Sequence, residues 1–227
     1  MKSVDEILKE LKARGRPQDL PEMARYGINT DRAFGTTMGT LKDLEKKYKS
    51  DHELALALWK CGWREARLLA GLIADPDQVT IGLMDDWARE FDSWDVCDTV
   101  TSQLFRYSTH AYDQALVWSS AEETFVKRAG FVLMAGLALK KSKMDNAAYE
   151  PFLACIRAAA SDERNMVKKA VNWALRQIGK RNTHLNERAI AVAEEILSMD
   201  YASARWIARD ALRELRNSKV QERLQRA

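Results

Sequence analysis

The sequence predicts an all-α fold in which helix pairs stack into a right-handed superhelix, an α-solenoid. The first observation is composition: the chain of 227 residues has only 10 glycines and 4 prolines, with 46% hydrophobic and 30% charged residues. Glycine and proline are the strongest helix breakers, so this composition favours helix nearly throughout. The second observation is a succession of helix pairs from residue 51 onward, and the third is a short pattern that recurs in the second helices.

The first 50 residues are predicted to form helices that precede the pairs. We expect helices at residues 3–14 and 19–26 and a third that ends near residue 49. A segment rich in Gly and Thr, residues 33–39, could be a loop or the first turn of that third helix. Clustered backbone N–H groups near a helix start suit a phosphate contact, although a simple turn is the favoured interpretation.

From residue 51, apolar spacing predicts five helix pairs. They are residues 51–60 with 64–74, 78–90 with 94–106, 109–118 with 122–140, 146–160 with 164–180, and 185–198 with 201–216. Matched positions on the second helices lie 31, 30, 41 and 36 residues apart, an irregular period typical of HEAT or armadillo repeats. These positions are Arg67, Asp98, Arg128, Lys169 and Arg205. The prediction is one HEAT-like domain over 1–227, with N-terminal helices in 1–50, a repeat array in 51–227 and roughly six helix pairs.

The charge is unevenly distributed along the chain. Residues 1–126 carry 16 Lys and Arg against 22 Asp and Glu, a net −6, whereas residues 127–227 carry 20 against 11, a net +9. A basic half is typical of a surface that binds a polyanion, and an ordinary solvated surface is the alternative.

The cysteines and the apolar segments indicate the compartment. The three cysteines are far apart and odd in number, which fits a reduced cytosol better than a disulfide framework. The N-terminus has no signal-peptide pattern, and no apolar run approaches the length of a membrane span. We therefore expect a cytoplasmic monomer without membrane contact.

Metal and cofactor sites are not expected. The three histidines, His52, His110 and His184, are isolated in sequence and are predicted to be exposed at helix starts. The chain contains no nucleophile motif and no phosphate-binding P-loop.

The sequence FDSWDVCD combines an aromatic residue with carboxylates. Residues four apart share one face of a helix, so Trp94 and Asp98 are predicted to lie one turn apart. Asp92 or Ser93 can cap the start of this helix. Asp95 falls in the first turn, where the helix dipole favours an anion, which indicates a structural role. Asp98 lies beyond that influence and is the candidate functional acid.

Seven tryptophans are many for a chain of this length. Most are expected to be buried in the core, the usual fate of large apolar rings. Trp94 and Trp173 differ because they occur in polar, charge-rich helices, and Trp173 lies within a stretch that has five cations in 14 positions. The seven residues are Trp59, Trp63, Trp87, Trp94, Trp118, Trp173 and Trp206.

The sequences FDSWDVCD, VKRAGF and KKAVNWALRQIGKRN, in this order, resemble the AlkD family of bacterial DNA alkylation-repair glycosylases. These enzymes are built from HEAT-like repeats, and the resemblance covers roughly residues 27–224. It implies excision of N3- and N7-alkylated purines, such as 3-methyladenine and 7-methylguanine, from double-stranded DNA. It also implies that Trp94, Asp98, Arg128 and Trp173 form the active cleft. The N-terminal region is shorter than in the best-known members.

These residue types suit the implied reaction. A purine alkylated at N3 or N7 is positively charged and leaves as a neutral base, so the main burden is cationic charge on the deoxyribose. Asp98 would stabilise that charge and orient the attacking water, Trp94 and Trp173 would flank the sugar, and Arg128 would hold a phosphate. Further phosphate contacts are implied for Lys127, Lys168, Lys169, Arg176, Lys180 and Arg181. The last four could instead form a solvated helix face.

Two other functions remain compatible with the sequence. One is a non-catalytic module that binds DNA or RNA on the same scaffold, with strongly salt-dependent affinity. The other is a protein–protein scaffold, a common use of HEAT-like arrays, which would need no affinity for nucleic acid.

Overall fold

The computed structural model describes residues 3–139 and 143–226 of the chain. In these ranges the regular structure is entirely helical and contains no strand. The all-α prediction is therefore confirmed. The fold divides into two compact units, Met1–Thr109 and His110–Ala227.

The first unit contains seven α-helices within its described part. They are α1 (Val4–Ala13), α2 (Leu20–Arg25), α3 (Met38–Tyr48), α4 (His52–Lys60), α5 (Arg64–Ile73), α6 (Ile81–Arg89) and α7 (Trp94–Gln103). Single 3-10 turns occur at Pro17–Asp19, Pro76–Gln78 and Phe105–Tyr107. The predicted pairs correspond to α4 with α5 and α6 with α7, and α5 packs against α3, α4 and α7.

Aromatic rings form much of the core of the first unit. Trp59 of α4 and Trp87 of α6 are stacked in parallel, with ring centroids 4.1 Å apart. Phe91 packs edge-on against Trp59, and Phe105 packs against Trp87. All four residues are buried, and together they fix the chain that leads into and out of α7. Burial of rings of this size is a dominant contribution to core stability.

The second unit contains the remaining seven α-helices of the described chain. They are α8 (Ala111–Ser119), α9 (Thr124–Leu137), α10 (Glu150–Ala158), α11 (Asn165–Gly179), α12 (Thr183–Leu197), α13 (Ala202–Leu215) and α14 (Ser218–Gln225). Short 3-10 turns occur at Asn146–Tyr149 and Ala159–Ser161. The three predicted pairs are confirmed as α8 with α9, α10 with α11 and α12 with α13. Helix α14 was not predicted, because it buries little apolar surface: Leu224 is its one buried residue.

Helices α9, α11 and α13 pack in series within the second unit, so α11 lies between the other two. On its other side, α9 packs closely on α8 at Gly130. A Cβ atom at this position would lie 2.7 Å from the backbone nitrogen of Ser119 and 3.0 Å from the carbonyl carbon of Trp118. Those are backbone atoms and cannot move aside easily, so glycine is needed for this contact.

The matched positions of the repeat occur at one register in their helices. Each is the fourth or fifth residue of the second helix of its pair, namely Arg67 in α5, Asp98 in α7, Arg128 in α9, Lys169 in α11 and Arg205 in α13. The common register confirms that the sequence pattern marks the same structural position in successive pairs.

One expectation about the histidines is wrong. His52, the first residue of α4, is only 9% exposed. Within residues 3–139 and 143–226, no group of three or more His, Cys, Asp or Glu side chains is arranged to hold a metal ion. In the same ranges no helix is both long enough and apolar enough to cross a lipid bilayer.

Candidate functional site

Trp94 and Asp98 lie one turn apart on α7, as their spacing predicts. Both side chains are half-buried. The indole N–H of Trp94 donates a hydrogen bond to the backbone carbonyl oxygen of Tyr26, at a distance of 2.9 Å. This bond uses the one polar atom of the indole and fixes the plane of the ring. The ring faces therefore remain the part of Trp94 that can contact a ligand.

Asp95 has the structural role that its position in the first turn indicates. Its carboxylate accepts hydrogen bonds from the Ser93 hydroxyl at 2.6 Å and from the Arg64 guanidinium at 2.7 Å. Ser93 occupies the N-cap position of α7, but its hydroxyl bonds to Asp95 and makes no side-chain cap. Asp92 is exposed and accepts a hydrogen bond from Asn29. Asp95 thus anchors the start of the helix that carries Trp94 and Asp98.

The Gly- and Thr-rich segment is a loop that binds an anion of the chain itself. Glu65 of α5 is completely buried, and its carboxylate accepts hydrogen bonds from the backbone N–H groups of Phe34, Gly35 and Thr36 at 3.0–3.3 Å. The Arg64 guanidinium pairs with the same carboxylate at 2.9 Å. Gly35 has a φ of +74°, which favours glycine. Residues 33–37 are a loop, Met38 and Gly39 begin α3, and the N–H groups of the loop are occupied by Glu65.

A groove of about 610 Å³ runs beside this loop and has Trp94 in its wall. Its rim carries exposed apolar groups, with Tyr26 67% and Met38 42% exposed. Arg16 and Arg64 supply cations to its lining. Asp98 stands one turn further along α7, beyond the residues that line this groove.

Arg128 and Trp173 lie on neighbouring helices of the second unit, α9 and α11. Arg128 is 7% exposed, and its guanidinium donates a 2.6 Å hydrogen bond to the backbone carbonyl oxygen of Met166 in the first turn of α11. Trp173 is half-buried. It lies four residues from Lys169 and three from Arg176, so these three side chains share one face of α11. That face combines an aromatic ring with two cations.

Lys127 takes part in an ion-pair cluster where α9 and α11 both begin. Asp162 accepts bonds from Lys127 at 3.1 Å and from two guanidinium nitrogens of Arg164 at 2.6 and 2.9 Å. The hydrogen bonds from Arg164, and after them the Lys127 ammonium, lower the pKa of Asp162 to about 2 against the opposing effect of burial. Lys127 is therefore held by the protein close to the start of α11.

This cluster predicts a measurable dependence of stability on pH. The pKa of Asp162 falls from 3.8 to about 2 on folding, so its contribution is present above pH 3.8 and is lost as the pH falls to about 2. We expect Asp162→Asn to lower the free energy of unfolding at neutral pH by about 1–2 kcal/mol, after allowance for solvent screening. The difference from wild type should disappear in strong acid. Urea denaturation across this range measures it. The exposed Asp145→Asn is the control and should stay within about 0.5 kcal/mol throughout.

The cations at the end of α11 are occupied by contacts within the protein. Lys180 pairs with Glu214 of α13 at 2.5 Å, and Arg176 contacts the same carboxylate. Burial raises the pKa of Glu214, but the Lys180 hydrogen bond and the Arg176 charge outweigh it and leave the pKa lowered. Arg181 donates to the backbone carbonyl oxygen of Leu139 at 3.0 Å. As phosphate ligands, these three residues would have to exchange or share those partners.

The two lysines at the start of α11 are placed differently. Lys169 is exposed. The Lys168 ammonium lies over the ring of Trp206, 5.5 Å from its centroid. An α-helix rises 1.5 Å per residue, so about 18 Å of helix separates Lys168 from Lys180. The basic stretch is thus divided into two groups, and the group at the helix start is the more accessible to a phosphate.

Trp206 is a further candidate residue, although its residue type predicts a core position for it. Trp59, Trp87 and Trp118 are buried as expected, but Trp206 is 40% exposed on α13. The spacing of the apolar residues of α13 indicates that Trp206 lies outside its buried face, because five buried positions at helical spacing already complete that face. They are Ala204, Ile207, Ala208, Ala211 and Leu215.

Residues 7–223 match the family model described as DNA alkylation repair enzyme. No curated protein gives a match. One solved structure covers 93% of this chain and 95% of its own, with a TM-score of 0.78 and 22% identity. It is described as representing a new family of proteins related to the HEAT-like repeat DNA glycosylases with affinity for branched DNA structures. At this identity the likeness shows the fold alone, and it confirms the prediction of HEAT-like helix pairs.

Proposed function

The chain belongs to the DNA alkylation repair enzyme family, and on that basis we propose that it is a monomeric DNA glycosylase that releases N3- and N7-alkylated purines. Membership of this family confirms the resemblance to the AlkD family that the sequence motifs indicated. The substrates in this proposal are bases such as 3-methyladenine and 7-methylguanine in double-stranded DNA.

The observation that carries the proposal is the pairing of Trp94 with Asp98 on α7. The indole is fixed by its bond to Tyr26, and a half-buried carboxylate lies one turn away. The neighbouring carboxylate of Asp95 is occupied by Ser93 and Arg64. Asp95 thus supports the structure of the helix start, and the proposal assigns the chemistry to Asp98.

The reaction needs negative charge at the sugar more than it needs an acid at the base. When the glycosidic bond breaks, its electron pair moves to the purine nitrogen and neutralises the cationic base. Positive charge then develops on C1′ and the ring oxygen of the deoxyribose. The Asp98 carboxylate stabilises this charge and orients the water that adds to C1′. Trp94 presents a ring face to the same partial positive charge.

The second unit carries groups that suit contacts with the DNA backbone. The family resemblance implies a sugar contact for Trp173, and the proposal assigns a phosphate contact to Lys169 on the same face of α11. Arg128 bonds to Met166 near the start of α11, and the proposal assigns it a phosphate contact there. Lys168 and Lys127 lie at that same end of the helix. Such contacts fix the register of the protein on DNA without reading its sequence.

Release of bases from methylated DNA tests the proposal directly. The purified chain is incubated with duplex DNA that contains 7-methylguanine and 3-methyladenine, and the free bases are separated by chromatography. We expect both bases to be released, and none from unmethylated DNA of the same sequence. Binding to that DNA without any release would overturn the proposal.

A non-catalytic DNA-binding role is the second candidate. It is favoured by the fold likeness to a protein described as related to the glycosylases and as having affinity for branched DNA structures. In that role Asp98 would have no part in a reaction, and changes at Asp98 would leave DNA affinity nearly unaltered. The base-release assay therefore separates the two candidates.

A further inference from the structure

One face of α13 combines an exposed tryptophan with a row of arginines. It lines an open groove of about 450 Å³ in the second unit. We call it the arginine face, and it consists of Ala202, Arg205, Trp206, Arg209, Asp210 and Arg213.

We propose that the arginine face binds an unpaired segment of DNA, with one base stacked on Trp206 and the adjacent phosphates held by the arginines. The inference rests on the proposed function only in taking DNA as the ligand. It requires no base excision, and its residues on α13 include neither Trp94 nor Asp98.

The exposure of Trp206 indicates a role in ligand binding and not in core packing. The inner face of α13 is complete without it, since Ala204, Ile207 and Ala208 are fully buried on either side of it in the sequence. The Lys168 ammonium lies over the ring, 5.5 Å from its centroid. A base can stack on the opposite ring face. An indole can hold a cation on one face through its ring electrons and stack a base on the other face.

The charges around Trp206 favour an anion. Arg209 is exposed on the same face. Arg205 pairs with Asp200, which is fully exposed to solvent, and such a pair is worth little. Arg213 pairs with Asp210, but the Asp210 carboxylate also accepts a 2.7 Å hydrogen bond from Asn172.

Asp210 has a further cation close to it, because Arg176 lies 3.6 Å away. The Asp210 carboxylate is therefore shared by several donors. The three arginines together with Lys168 leave the groove positively charged.

The spacing of the arginines suits a chain of phosphates. Arg205, Arg209 and Arg213 are four residues apart, so each is displaced from the next by about 6 Å along α13. Their guanidinium groups can each bind a phosphate through forked hydrogen bonds.

An unpaired segment fits these features better than a duplex does. In a duplex the bases are stacked on each other and their faces are closed to an indole, whereas an unpaired base exposes its face. Proteins that bind single strands combine a cationic groove with aromatic platforms in this way.

Binding of a fluorescein-labelled oligothymidylate to the full chain tests the inference. This probe contains no purine, so base excision cannot contribute to the result. We expect wild type to bind it, and Trp206→Ala to weaken binding about tenfold or more. Trp206→Phe should retain most of the affinity. Arg209→Ala should lower the slope of log affinity against log salt by about 0.7, the value for one phosphate on a single strand.

The matched control is Tyr107→Ala. Tyr107 is 58% exposed and has the Arg106 guanidinium over its ring, and it is not part of the arginine face. We expect this variant to bind oligothymidylate as wild type does. Trp206→Ala should also bind a fully paired duplex within about twofold of wild type, because a phosphate contact does not need the indole. Circular dichroism checks that the variants are folded.

Three outcomes would overturn the inference. Wild type could fail to bind oligothymidylate, or Trp206→Ala could bind it as tightly as wild type does. The third outcome is that the Tyr107→Ala control loses as much affinity for oligothymidylate as Trp206→Ala does. Binding of an acidic peptide in place of oligothymidylate would assign the surface to a protein partner. If wild type neither bound duplex DNA nor released bases, the proposed function would be contradicted instead. The failure of the inference and the failure of the proposed function can therefore be distinguished.

Discussion

Replacement of Asp98 by asparagine is expected to lower the rate of 7-methylguanine release by about 10²–10³-fold, the usual effect of removing one preorganised electrostatic group. Asparagine keeps the size of the side chain and one acceptor oxygen, and it removes the negative charge. The charge is what the cationic sugar needs in the transition state, so the loss should fall on the chemical step. Single-turnover kinetics on methylated duplex DNA measures it, with affinity determined separately.

Asp92→Asn is the matched control for this change. Asp92 lies in the same stretch, is exposed and contacts Asn29, so the same chemical change there should alter the rate by less than about twofold, as for surface substitutions in general. Full activity in Asp98→Asn, or an equal loss in Asp92→Asn, would remove Asp98 from the mechanism.

Replacement of Glu65 by alanine is expected to lower the free energy of unfolding by about 3–5 kcal/mol, the usual cost of breaking a buried ionic network. The carboxylate is completely buried and binds three backbone N–H groups and Arg64. Alanine would leave those donors without their acceptor in a site that solvent does not reach. Chemical denaturation followed by circular dichroism gives the difference.

Glu187→Ala provides the comparison for Glu65. Glu187 is an exposed glutamate on α12, and its removal should change stability by less than about 0.5 kcal/mol. The free energy of unfolding of Glu65→Gln should lie between those of wild type and Glu65→Ala, because an amide oxygen can still accept hydrogen bonds from the N–H groups of the loop. A Glu65→Ala variant within about 1 kcal/mol of wild type would mean that the loop has other anchors.

The helix pairs were predictable because their signal is local. Apolar spacing locates the second helices, and Arg67, Asp98 and Arg128 fall at the same register in theirs. Helix α14 was not predictable from apolar spacing, because a helix that buries only one leucine has no row of apolar residues along one face. The Trp94–Asp98 pair was also predictable, since a separation of four residues on one helix fixes which side chains are neighbours.

The partners of the charged groups were not predictable in the same way. Arg176 and Lys180 appear in the sequence as members of a basic stretch, yet Glu214 pairs with both from another helix. The N–H groups of the loop near Gly35 looked suited to a phosphate, but Glu65 occupies them. In both cases the partner is about thirty residues or more away in sequence.

The sequence by itself determined the helical class, the succession of the helix pairs and the placement of Asp98 one turn from Trp94, because each depends on residues within a few positions of one another. Only the tertiary structure decided which cations are already paired, which anion the Gly- and Thr-rich loop holds, and that Trp206 faces solvent. Those outcomes depend on which helices pack together, and burial and ion pairing follow from that packing across long separations in the chain.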